Sequence, residues 1–99
     1  MTDELEKLRE KSFNLGRDLD KVEIVIERAL RTGKISKAKK IIDNLISETK
    51  DTKDAIFTIL VKDQQEEDYH EAQQALVLFN FTIEIESKLY SLKDRKGIR

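Results

Sequence analysis

Cysteine, proline and tryptophan are absent from the 99-residue chain, and glycine occurs only at Gly16, Gly33 and Gly97. Without cysteine there is neither a disulfide framework nor a thiolate metal site, and the expected setting is intracellular. So few turn-formers argue against a small β-sandwich or barrel, which needs a turn every few residues. No apolar run approaches the roughly 18 residues that cross a bilayer. The Met1-Thr2-Asp3-Glu4 start is acidic where a signal peptide is basic. A single histidine, His70, and three isolated glycines leave no nucleophile–base pair to name and no phosphate-cradling loop.

Charge is plentiful but nearly balanced. Charged residues make up 39% of the chain, the apolar fraction is 38%, and the net charge is −1. That composition suits one small domain built from amphipathic helices with solvated outer faces. The distribution is uneven. Residues 63–86 hold seven acids and no Lys or Arg, whereas residues 87–99 hold five bases and one acid. Both blocks fit a solvated connection and tail, and the acidic one would also attract a basic partner. The chain stops at Lys96-Gly97-Ile98-Arg99 with no evident structural reason, as expected of a piece of a longer protein.

Hydrophobic periodicity predicts three helices, near 3–31, 36–62 and 68–93. In the first, Leu5, Leu8, Ser12, Leu15, Leu19, Val22, Ile26 and Ala29 alternate by three and four, one stripe along a helix. Asp3 and Glu6 offer a capping box, and Gly33 a left-handed stop. In the second, Ile35, Ala38, Ile42, Leu45, Thr49, Thr52, Ile56 and Ile59 repeat the spacing. The polar stretch 47–54 invites a bend near Thr49–Thr52. The run 63–68 reads as an acidic connection.

The third segment carries a competing signal. Phe79, Phe81, Ile83 and Ile85 alternate with polar residues, as in a strand. Helix-formers flank the run, no turn residue bounds it, and no partner strand exists to satisfy its backbone, so helix is the expected state. As a helix it has an apolar arc of about 200° at ~100° per residue. One flank holds Ala72, Leu76, Phe79, Ile83 and Tyr90; the other holds Leu78, Ile85, Leu89 and Leu92, with Phe81 at its edge and Val77 beyond. The expected architecture is an all-α, antiparallel up-down-up three-helix bundle forming a single domain over 1–99. Its core is expected from Leu8, Leu15, Leu19, Val22, Ile26, Ile42, Leu45, Ile56, Ile59, Leu76, Phe79, Ile83 and Leu89.

No catalytic, cofactor-binding or metal residues are expected. Glu67 and His70 form a Glu-x-x-His pair, but a carboxylate-bridged di-metal bundle needs a second such histidine. Nucleic-acid binding has only two basic runs to draw on, Lys37, Lys39 and Lys40, and Lys93, Arg95, Lys96 and Arg99. The two regular stripes also allow a structural homo-oligomer of helices.

The order and lengths of these segments resemble a GAT domain, the three-helix module of Golgi-localised, gamma-ear-containing, Arf-binding adaptors and of target-of-Myb sorting proteins. The resemblance covers Leu5 to about Arg95. It is carried by the heptad-patterned first helix, by Ile42-Asp43-Asn44-Leu45 and Ser47-Glu48-Thr49-Lys50-Asp51, by the acidic connection, and by Leu89-Tyr90-Ser91-Leu92-Lys93. Asp68-Tyr69-His70-Glu71-Ala72 is also similar to the signature of microtubule-interacting-and-trafficking domains. The GAT resemblance implies a non-catalytic, cytoplasmic module at endosomal or Golgi membranes that binds ubiquitin or short helical segments of trafficking proteins. Family third helices carry an Asn-Asp or Ser-Asp pair before a leucine, whereas this chain has Asn80-Phe81, without the acid. The candidate contact residues on the third helix are Phe81 foremost, with Val77, Leu78 and Ile85 beside it and Glu84 as an acidic rim.

Overall fold

Each of the three apolar stripes is long enough to bury a helix face but none can do so alone, and packing them together gives the observed bundle. The computed structural model describes residues 3–98. It contains α1 (Asp3–Arg31), α2 (Ile35–Gln65) and α3 (Tyr69–Arg95), all packed against one another in a rod of 52 × 20 × 15 Å. The described residues contain no strand. The alternation over 79–85 is helical because the pattern of the whole segment, and not seven residues of it, finds partners.

The connections are shorter than the sequence implies. α2 continues through Asp63, Gln64 and Gln65, so the first half of the acidic run belongs to the helix and only residues 66–68 link it to α3. α2 is unbroken at Thr49–Thr52. Asp3 is already helical, so it does not stand at the N-cap position that the Asp3–Glu6 capping box requires.

The same device closes all three helices. A residue with positive φ follows each helix, at Gly33 (75°), Glu67 (60°) and Gly97 (65°). The next amide donates back across the turn, Lys34 to Ala29, Asp68 to Asp63 and Ile98 to Lys93. Glycine holds the left-handed conformation without a Cβ penalty, and Glu67 holds it against one. At the last turn Ile98 is buried among Ile26, Ile42 and Leu89. Gly97 and Ile98 therefore have a structural reason that the sequence did not disclose.

The core has three zones along the rod. At one end Leu15, Ile26, Ala38, Ile42, Ile46, Ile85, Leu89 and Leu92 form an aliphatic cluster. Towards the other, Leu5, Ile56, Ile59, Leu60, Ala72, Ala75 and Leu78 form a second. Between them every helix contributes hydroxyls, Ser12, Thr49, Thr52 and Thr82, all fully buried. Each hydroxyl donates to a carbonyl of its own helix, Ser12 to Leu8, Thr49 to Leu45, Thr52 to Glu48 and Thr82 to Phe79, at 2.7–2.8 Å. The polar middle of α2 is thus a core layer whose polar atoms are satisfied locally.

Gly16 explains how α1 and α3 approach. The Phe81 ring lies over it, so that a Cβ built there would stand 2.9 Å from Phe81 Cζ. The ring also packs edge-on against Phe13, with centroids 5.6 Å apart. Phe81 is half-buried against the aliphatic cluster.

Two outcomes follow, both measurable by denaturant unfolding. Thr49→Val keeps the β-branched shape and removes a hydroxyl whose acceptor carbonyl lies in a helix interior, so stability should rise by about 0.5–1 kcal/mol. Gly16→Ala gains about 1 kcal/mol of helix propensity but displaces the Phe81 ring. Alone it should be neutral or destabilising; in a Phe81→Ala background it should stabilise by about 1 kcal/mol, a coupling that a double-mutant cycle isolates.

Candidate functional site

The rotation of α3 decides which residues a partner can touch. Its buried stripe is Ala75, Leu78, Thr82, Ile85, Leu89 and Leu92. Leu78 and Ile85 are only 5% and 3% exposed, so they are core and leave the candidate contact set. Phe81 faces α1 through Gly16 and Phe13 and is half-covered. Val77, 65% exposed, and Glu84 point to solvent. The five expected contact residues are therefore not one surface.

The other flank is the outer one. Leu76 and Ile83, expected in the core, are exposed, as is Tyr90, while Phe79 is half-buried. With Glu86 they fall at 76, 79, 83, 86 and 90, the spacing of a second stripe on the side of α3 turned away from Phe81. α2 completes the face. Phe57, 49% exposed, packs its ring 5.6 Å from that of Phe79. Lys53 Nζ bridges Glu86 at 3.1 Å, and Lys50 Nζ stands 5.4 Å from the Tyr90 ring centroid. The apolar part is an aromatic and aliphatic strip from Leu76 to Tyr90, about 21 Å long at 1.5 Å rise per residue. One ion pair crosses it.

Glu86 is the signal that could have located this face. An ionised carboxylate is far more expensive to bury than a threonine hydroxyl, which a helix carbonyl satisfies. The flank holding Glu86 therefore belongs outside, and the flank holding Thr82 inside. Counting apolar residues alone favours neither.

Elsewhere the surface offers less. A shallow apolar groove between α1 and α2 is lined by Val22, Val25, Ile41 and Leu45. The C-terminal bases do not form a free basic face. Lys93 pairs with Asp43 at 2.7 Å, Arg95 with Glu23 at 3.4 Å and Lys96 with Glu27 at 2.8 Å. The hydrogen bond and charge of Lys96 hold the Glu27 carboxyl below the usual carboxylate range. Arg99 lies outside the described residues, and Lys37, Lys39 and Lys40 are exposed. His70 is exposed in the first turn of α3, and Glu67 sits in the preceding turn. No helix among the described residues is long and apolar enough to cross a membrane. Comparison with protein-family models, with curated proteins and with solved structures finds no match to the chain.

The assignment of flanks is checked by truncation. Leu78→Ala and Ile85→Ala should each cost about 2–5 kcal/mol in chemical unfolding. Ile83→Ser and Val77→Ser should each cost less than about 1 kcal/mol.

Proposed function

We propose that this chain is a non-catalytic protein-interaction module whose α2–α3 face receives an amphipathic helical segment or a small folded partner. The observation that carries the reading is the strip of exposed Phe57, Leu76, Ile83 and Tyr90 around half-buried Phe79, crossed by the Lys53–Glu86 pair and edged by Lys50. Aromatic anchors with a charged rim are what a helix-in-groove contact uses, and solvent-exposed apolar side chains collected on one face are uncommon without such a role. The resemblance to GAT domains makes ubiquitin and the helical segments of trafficking proteins the partner classes to try first, in sorting at endosomal or Golgi membranes. A second copy of the chain is the other reading that the strip favours, because its spacing of three and four is that of a helix–helix seam.

Amide shifts of isotope-labelled protein titrated with ubiquitin test the reading directly. Binding should move resonances around Phe57, Phe79, Ile83 and Tyr90 and leave those around Ile26 and Ile42 in place. Ile83→Lys should weaken it at least tenfold with the fold retained. Silence at millimolar ubiquitin removes that partner and leaves helical peptides. Mass that rises with concentration in sedimentation, and falls back in Ile83→Lys, assigns the face to self-association.

A further inference from the structure

The heptad stripe of α2 does not end on an apolar residue. Ile42, Leu45, Thr49, Thr52, Ile56 and Ile59 are followed, one turn on, by Asp63. The stripe of α3 runs backwards from Leu78 and Ala75 to Glu71. Both acids occupy core positions and both are buried, Asp63 with 5% of its surface exposed. Asp68 joins them from the turn, where its Oδ1 accepts the Glu71 amide at 3.3 Å and caps α3. One oxygen from each of the three carboxylates lies within 4.8 Å of the others. Asp63 Oδ2 is buried and has no hydrogen-bond donor among the described residues.

A carboxylate at a core position is costly unless something compensates its charge. The crevice that these acids line also takes in Glu4 of α1 and Glu66 of the α2–α3 link and, among the described residues, Lys62 as its one base. Among the described residues, the acids lining this crevice outnumber the bases. We propose that Asp63, Asp68 and Glu71 form a binding site for a hard divalent cation, calcium foremost, that closes this end of the bundle. An all-oxygen, all-carboxylate donor set selects hard ions over zinc or copper. Calcium, with bonds of about 2.3–2.6 Å and tolerant geometry, spans oxygens of this spread more readily than magnesium at about 2.0–2.1 Å. Asp68 can cap α3 through one oxygen and bind through the other, and Asp63 supplies an oxygen that has no donor among the described residues. The Glu67–His70 pair has no part in the site.

The competing compensation is a proton. Burial, and then the Glu71 carboxyl beside it with Asp68 and Glu66 adding to it, push the Asp63 carboxyl above the ordinary aspartate range. With no cation, the contribution of Asp63 to stability is fully present below the pKa of an unfolded aspartate and is lost as pH rises through the raised folded value. With a cation the sign reverses, because only the ionised carboxylates bind it.

Calorimetric titration of the whole chain with calcium chloride at neutral pH, after EDTA treatment, separates the two. One equivalent should bind, and calcium at ten times its Kd should raise the thermal midpoint by on the order of 5–10 °C. Asp63→Asn should abolish that binding, raise the midpoint in EDTA, and remove the loss of stability with rising pH that the EDTA-treated protein shows. Asp68→Asn, which keeps the cap, should weaken binding at least tenfold. No heat and no midpoint shift with 10 mM calcium, magnesium or manganese would overturn the proposal and assign the site to a shared proton. Binding that survives Asp63→Asn would overturn it as well, since the ion would then be held elsewhere.

Discussion

The Phe81 ring seated over Gly16 fixes the rotation of α3 about its own axis, and nearly everything else about the bundle depends on that angle. With Phe81 turned to α1, Leu78, Thr82, Ile85 and Leu89 point inward, and Leu76, Ile83 and Tyr90 point out. Rotating α3 to bury the second flank would carry Glu86 inward and separate it from Lys53, and would lift Phe81 out of its notch. The cost of a glycine inside α1, about 1 kcal/mol relative to alanine, is offset by the contact of a whole aromatic ring. The edge-on contact with Phe13, over which Arg9 lies with Cζ 5.4 Å from the ring centroid, extends that contact to the surface.

The hydroxyl layer is the second constraint. Ser12, Thr49, Thr52 and Thr82 divide one long core into two aliphatic clusters without leaving a donor unmade. Because each hydroxyl bonds within its own helix, the layer packs through methyl groups and small side chains. It brings no directional bond between helices. Helix register is set instead by the apolar clusters and by the ion pairs Lys53–Glu86 and Lys93–Asp43, which tie α2 to α3 at two heights.

Helix number, order and approximate limits were legible because each stripe is longer than any local exception to it. The phases of α1 and α2 were legible too, since the buried residues of α1 fall on its one stripe and those of α2 fall on its stripe or, as Ile46 and Leu60 do, directly beside it. α3 was not, because it has two apolar stripes and their relative burial is decided by α1, through Gly16, a residue without a side chain to signal the contact. The choice of Leu76 and Ile83 as core and of Leu78 and Ile85 as surface follows from counting apolar area, which ignores that burial costs a carboxylate far more than a threonine hydroxyl. Ile98 was missed for a related reason. A single isoleucine beyond a glycine has no periodicity, and its burial comes from the turn that folds it back.

α3 accordingly carries three separable tasks at three rotations. Its inner stripe closes the core against both other helices. Its outer stripe is left over once the core is full, and it is this surplus of apolar residues, in a chain otherwise rich in charge, that makes the α2–α3 face the place where a partner would gain most. The first turn of α3 departs from both patterns by putting Glu71 on the inner stripe opposite Asp63. Hydrophobic residues at those two positions would pack the end more simply, and Ile59 and Ala75 one turn further in do just that. Acids at the last core layer give that end a response to the proposed ion or to a shared proton, which an aliphatic layer would lack. The strip and the acid layer share α3 but no residue, so occupying one does not obstruct the other.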